Sequence, residues 1–214
     1  MCGIAGYIDF NKKAGEDQLR SMTDCLSHRG PDASGYAFFQ ESTCSIGLGH
    51  RRLSIIDLSP LGQQPMYTAD RKTAIVFNGE IYNYAEIREE LRTKGYSFIS
   101  NSDTEVILYA YREWGASAVN RFIGMFAMII YDMLKEEVFV CVDRAGVKPF
   151  YYYWHNDVFL FASELKSFFQ FPGYEKIIDE RSFYNFLQYS FVSAPYSIFK
   201  NTWKLEPGHY LRID

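Results

Sequence analysis

The stretch FIGMFAMIIYDMLKEEVFVCV, residues 122–142, decides the fold class. Two apolar runs, 122–131 and 138–142, flank a polar turn at 132–137 and predict two buried strands paired as a hairpin. A second pair is predicted at 150–154 and 158–162. Working outward, strands are expected at 2–8, 36–39, 45–53, 73–77 and 210–213. Helices fall between these groups. Leu19, Met22 and Leu26 recur at helical spacing, so 16–27 is predicted helical and stopped by Gly30 and Pro31. Asn83 caps a helix to 94 with Gly95 as its stop. Ser102-Asp-Thr-Glu105 has capping-box spacing ahead of a stripe of Val106, Ala110 and Trp114, and Gly115 ends that helix. A last helix covers 181–189, and 57–65, with two prolines and a glycine, is loop. Strands in hairpin-like pairs with helices gathered between them argue for an α+β protein with antiparallel sheets rather than an alternating βαβ chain.

Composition limits the function classes. The 214 residues are 48% apolar, 18% aromatic and 22% charged, which fits a globular chain with a sizeable core. A net charge of −4 argues against nucleic acid as a partner. The longest uncharged stretch, 182–199, carries Ser182, Asn185, Gln188, Ser190, Ser193, Pro195 and Ser197 and is too polar for a membrane span. The N-terminus lacks the pattern of a secretory signal. Cys2, Cys25, Cys44 and Cys141 form no C-x-x-C pair, and His28, His50, His155 and His209 stand singly. The expectation is therefore a cytoplasmic, reduced protein without metal. There is no G-K-[ST] phosphate loop, no G-x-S-x-G elbow, no repeat and no linker.

Four local features carry chemistry, each with a plain structural alternative. Met1-Cys2-Gly3 is suited to methionine removal, which would leave a thiol and a free α-amine on one residue. With a reference pKa of about 7.7–8.0 the amine is partly neutral near pH 7 and can take the thiol proton. Alternatively, Cys2 is a small apolar residue opening a strand. Arg51 and Arg52 point to opposite faces of a strand, and one could grip a carboxylate, or both are solvated. Asn78-Gly79 reads as the end of a strand and a sharp turn, able either to hold an oxyanion or simply to reverse the chain. Asp103 in the first turn of a helix serves the helix dipole or a substrate ammonium.

Taken in order, M-C-G-I-A-G-Y, H-R-G-P-D, R-R-L-S-I-I-D-L, F-N-G-E-I-Y-N, S-D-T-E-V-I-L and D-R-x-G-V-K-P-F-Y-Y resemble the glutamine amidotransferase domain of the glutamine-hydrolysing asparagine synthetase family, whose members are class II, N-terminal-nucleophile enzymes. The resemblance spans essentially the whole chain. It implies a four-layer α-β-β-α sandwich of the N-terminal nucleophile hydrolase type. It implies Cys2 as nucleophile and Asn78 and Gly79 as oxyanion donors. Arg52 would hold the α-carboxylate of L-glutamine and Asp103 its α-ammonium. Glu80 belongs to the same binding segment, and the backbone of Leu53, Ser54, Ile55 and Ile56 lines the pocket. This half-reaction needs no cofactor. Family members continue into an ATP- and Mg-using synthetase domain with an S-G-G-x-D-S loop, which does not occur in 1–214. The expectation is thus a single glutaminase domain, residues 1–214, at the N-terminal part of a longer protein, delivering ammonia to a synthetase domain in cis, with a homodimer admitted. The aromatic-rich stretch 183–203 would partly face that domain. The competing class is a glutaminase-inactive structural or glutamine-sensing module.

Overall fold

The computed structural model describes residues 1–54, 57 and 59–214. Among the described residues, eleven strands and four α-helices follow in chain order. They are β1 (Gly3–Asp9), α1 (Glu16–Asp24), β2 (Ala33–Gln40), β3 (Ser45–Arg52), β4 (Met66–Tyr67), β5 (Thr73–Ile81), α2 (Tyr84–Thr93), α3 (Asp103–Trp114), β6 (Gly124–Asp132), β7 (Glu137–Val142), β8 (Tyr151–His155), β9 (Val158–Ala162), α4 (Glu180–Tyr189), β10 (Thr202–Lys204) and β11 (Tyr210–Ile213). One sheet has the order β10-β8-β9-β1-β3-β2, the other β11-β7-β6-β5-β4. All pairings are antiparallel.

Three cores define the layers. Ile4, Ile8, Ile46 and Leu48 of the first sheet meet Ala74, Val76, Ile129 and Val140 of the second between the sheets. Leu19 and Met22 of α1 cover the outer face of the first sheet with Tyr7 and Leu160. Ile87 and Leu91 of α2 and Val106, Ile107 and Ala110 of α3 cover the outer face of the second with Phe77 and Met128. The result is the α-β-β-α sandwich that the resemblance implies. Because both faces of each sheet are covered, central strands such as β1, β6 and β7 read as continuous apolar runs instead of alternating.

The structure departs from the sequence reading at several points. Helix α1 stops at Asp24, and the chain turns through 25–29. The two-residue β4 and three-residue β10 are too short for any periodicity to show. Asn83 makes no cap bond; its side chain instead ties Arg121 O and Ile123 N. The Ser102 side chain does cap α3 by accepting from Thr104 N–H, but Glu105 does not close the box. Its carboxylate accepts from Ile99 and Ser100 N–H and from the Ser100 hydroxyl, so it orders the loop ahead of the helix. The largest correction concerns Asn78-Gly79. The strand does not end there. β5 runs on to Ile81, with Asn78 opposite Ala127 and Gly79 opposite Phe126. Long-range pairing with β6 overrides the local turn preference.

Candidate active site

The sandwich is open where β1 begins and β3 ends. Cys2 directly precedes β1, whose register sets Gly3 opposite Arg51. Leu53 N–H donates to Cys2 Sγ at 3.4 Å, and the thiol reaches Leu53 O at 3.6 Å. Burial pushes the thiol pKa up. The backbone bond to Leu53 and the charges of the amino terminus, Arg52 and Lys148 pull it down.

The turn after α1 braces this end. Arg29 Nε donates to Cys2 O at 3.0 Å, and its Nη1 pairs with Glu164 at 3.0 Å. Asp32 accepts from Ser54 N–H at 2.8 Å. A Cβ on Gly30 would lie 2.3 Å from Arg51 O, so only glycine lets the turn rest on β3. The segment 28–32, read in sequence as a helix stop and as the H-R-G-P-D stretch of the resemblance but given no task there, therefore fixes the carbonyl of Cys2 and the path of residues 53 and 54.

The two adjacent arginines divide as the pleat requires. Arg51 faces α1 and pairs with Asp24 at 3.3 Å. Arg52 lies on the inter-sheet face and is 9% exposed. Its Nη1 donates to Ser59 O at 3.0 Å and its Nη2 to Asp57 O. A Cβ on Gly62 would sit 2.4 Å from Arg52 Nη2, so that glycine leaves the guanidinium its space. Asp57 joins this loop to the approach to α3: its carboxylate accepts from Ser59 N–H at 2.9 Å and from Asn101 N–H at 3.0 Å. Hydrogen bonds from Ser59 and Asn101 hold its pKa below the usual range.

The β5 edge supplies donors. Phe126 O accepts from Asp143 N–H and Phe126 N–H donates to Asp143 Oδ2, both on the far side from β5, so Gly79 and Phe126 form a non-hydrogen-bonded pair. The N–H groups of Phe77, Gly79 and Ile81 thus share the open edge of β5. Gln64 Oε1 accepts from Phe77 N–H at 2.6 Å, and Asp103 Oδ2 accepts from Ile81 N–H at 3.0 Å. Gly79 N–H lies between these two, on the pocket side. Glycine is required at 79 for a reason other than ligand approach: a Cβ would meet Met125 O at 2.3 Å. The Asn78 side-chain nitrogen is buried and has no partner among the described residues. An unpaired buried amide is costly unless a ligand completes it.

Asp103 is buried, and its pKa is raised to about 6, chiefly by burial against the bond from Ile81 N–H, with Glu80 raising it further. His50, wholly buried, is held down to about 3 by burial. It is a neutral ring whose Nε2 lies 3.2 Å from Phe77 O, bracing β5.

Cys2, Arg52, Leu53, Asn78, Gly79, Glu80 and Asp103 line one open pocket of about 100 Å³. Ser54 is anchored beside it but does not line it, and Ile55 and Ile56 lie outside the described residues. Asp57, Gly62, Gln64, Thr104, Met125 and Lys148 also belong to the wall. Sequence reasoning missed these, because each is marked by its tertiary neighbours and not by its spacing.

The sequence matches the glutamine amidotransferase domain family over residues 1–214. Glutamine-hydrolyzing asparagine synthetase 1 of Bacillus subtilis is 39% identical over 217 residues, covering 100% of this chain and 33% of that protein. A Methanocaldococcus jannaschii protein, provisionally named a glutamine-hydrolyzing asparagine synthetase 2, is 40% identical over 230 residues, covering 100% of this chain and 44% of that protein. The chain thus spans less than half the length of these relatives. Among solved structures, glutamine phosphoribosylpyrophosphate amidotransferase from B. subtilis superposes with a TM-score of 0.66 at 20% identity, over 78% of this chain and 43% of that one, which shows a shared fold. With the match running the full length of the sequence and the pocket assembled at the start of β1, the chain belongs to the glutamine amidotransferase domain family.

Proposed function

We propose that this domain hydrolyses L-glutamine to glutamate and ammonia through a thioester on Cys2. The observation that carries the reading is the convergence, in one pocket, of a thiol, an orphaned amide donor at Asn78, a buried guanidinium at Arg52 and a buried carboxyl at Asp103. Met1 is 56% exposed, accessible to an aminopeptidase. Its removal frees the α-amine of Cys2. The amine takes the thiol proton, and the thiolate attacks the side-chain carboxamide carbon. Asn78 Nδ2 and Gly79 N–H donate to the oxyanion that forms. The α-ammonium returns its proton to the leaving nitrogen, the C–N bond breaks and ammonia departs. Water then cleaves the thioester to glutamate and restores the thiol. Arg52 holds the substrate α-carboxylate and Asp103 its α-ammonium; Glu80 lies beside Asp103. These steps use side chains, the Gly79 N–H, the α-amine and water.

The reading extends to the whole protein by analogy with the longer relatives. Residues 1–214 are proposed as one glutaminase domain, N-terminal to an ATP-dependent amide-forming domain that receives the ammonia. On α4 and after it, Tyr184, Tyr189 and Phe191 are 70%, 58% and 60% exposed, while Phe199 and Trp203 pack on Phe169 and Tyr152. The exposed group is the surface offered to such a domain. Among the described residues no helix is long and apolar enough to cross a membrane. A cytoplasmic location is proposed from the four unpaired thiols.

The test is release of glutamate and ammonia from L-glutamine by a chain whose intact mass lacks Met1. Chain that retains Met1 should be silent, because its Cys2 nitrogen is an amide. Full activity with Met1 in place would remove the mechanism. Inactivity of the processed chain would instead favour a binding module. In active chain, Asn78→Ala should lower kcat by about 10²–10³-fold and change KM little, since its bond strengthens only as the oxyanion forms.

A further inference from the structure

Lys148 is a buried cation in the active-site wall that the mechanism above leaves without a task. It lies in the segment 143–150, between β7 and β8, and is only 7% exposed. The loop is built to hold it. Asp143, itself buried, accepts from Ala145 and Val147 N–H through Oδ1, and from Phe126 and Lys148 N–H through Oδ2. Thus one carboxylate fixes the Lys148 backbone to β6. The Asp143 carboxylate is committed to those four N–H groups, and the Lys148 ammonium has no carboxylate within ion-pair distance among the described residues. Its one hydrogen-bond contact there is Met1 Sδ, at 3.6 Å. A buried ammonium held against a thioether is poorly compensated, and such an arrangement persists where the charge has a use.

The same pocket wall contains Met1, Cys2 and Lys148. Excision of Met1 removes the sulfur and leaves the ammonium facing the freed end of the chain. We propose that Lys148 is a positioning residue for the mature amino terminus, its fixed positive charge favouring the neutral α-amine and the thiolate of Cys2. This deepens the reading of Cys2 as nucleophile and rests on it. A cation beside an amine disfavours the resting ammonium, so the amine is free to take the thiol proton at lower pH, and a cation beside a thiol favours the thiolate formed by that transfer; the proton taken stays on the α-amine for the leaving nitrogen. The Lys148 charge already lowers the Cys2 thiol pKa in the structure with Met1 attached. The other charged groups at the pair are Arg52 from β3, Asp57 from the following loop, Glu80 from β5, Asp103 from α3, and Arg29 with Glu164 at the Cys2 carbonyl. Arg52 and Asp103 have substrate charges to meet, and Arg29 is paired; Lys148 is the cation left to the nucleophile.

The test uses the processed chain and two readouts. The first, independent of glutamine, is the pH profile of Cys2 alkylation by iodoacetamide, followed on the N-terminal peptide by mass spectrometry. Lys148→Met should move its midpoint up by about one pH unit, and Lys148→Arg should return it to within a few tenths. The second is glutamine hydrolysis. Lys148→Met should lose about tenfold in kcat/KM at pH 7, almost all in kcat, and recover as pH is raised. Thermal unfolding checks the fold, and Lys148→Gln supplies the neutral side chain should Lys148→Met not fold. An alkylation profile that the neutral variants leave in place overturns the proposal, as does a loss that appears in KM or that Lys148→Arg does not rescue. A chain that shows the alkylation shift but no Cys2-dependent hydrolysis would keep the electrostatic role and remove the glutaminase reading.

Discussion

Replacing Cys2 by alanine is expected to reduce glutamine hydrolysis to background, a loss of about 10⁴-fold or more, since removal of a covalent nucleophile leaves only binding and oxyanion stabilisation. Glutamine binding should survive, because Arg52 and Asp103 are held by contacts that do not involve the thiol. Arg52 is fixed by Ser59 O and Asp57 O, and Asp103 by Ile81 N–H. Cys2→Ser should be severely impaired as well, a hydroxyl being the poorer nucleophile near neutral pH. Cys25, Cys44 and Cys141 stand outside the pocket and should be dispensable for chemistry. Glutamate release by Cys2→Ala at even a tenth of the parent rate would withdraw the thioester mechanism. A protein that has lost both turnover and binding would point to a structural role for Cys2 in seating Leu53.

The second large effect concerns the two charged ends of the substrate. Arg52→Lys and Asp103→Asn should each cost about ten- to a hundredfold in kcat/KM, the worth of a buried charge-assisted bond at roughly 1.5–3 kcal/mol, and most of the loss should appear in KM. Lysine at 52 keeps the charge but loses the two-pronged fork. Arg51→Ala should do much less: Arg51 faces α1 and its partner Asp24 is exposed on that helix. The reverse pattern would place the strand one residue out of register. Asp103 adds a pH signature. With its pKa raised to about 6, its carboxylate is the form that burial penalises, so ionisation costs the free protein stability as pH rises from about 4 through 6. An ammonium in the site favours that same carboxylate. Glutamine affinity should therefore fall as pH drops below about 6, and the thermal protection given by glutamine should grow as pH rises through that value. Asp103→Asn should flatten this dependence. A KM that is constant from pH 5 to 8 would show that Asp103 does not meet the substrate charge.

The fold and the site were legible to different depths, for physical reasons visible in particular residues. The hairpin β6–β7 and the pair β8–β9 were readable because their apolar runs and turns are local. The opposite faces of Arg51 and Arg52 were readable because a strand alternates whatever it pairs with. The sequence by itself thus determined that this is an α+β chain of antiparallel strands, and its resemblance to a known family singled out Cys2, Arg52, Asn78, Gly79 and Asp103, which the fold brings to one pocket. The tertiary structure alone decided how the pieces act. Asn78 and Gly79 form a strand edge instead of a turn because β6 pairs with them, and of the N–H groups on that edge Gln64 takes Phe77 and Asp103 takes Ile81, leaving Gly79 N–H toward the pocket. Glu105 orders a loop in place of closing a capping box, because Ile99 and Ser100 present N–H groups to it first. Lys148 is a surface residue by composition and a buried one in fact, because Asp143 pins its loop against β6. Each outcome depends on a partner more than ten residues away or on a carboxylate shared among several N–H groups, and neither leaves a periodic trace along the chain.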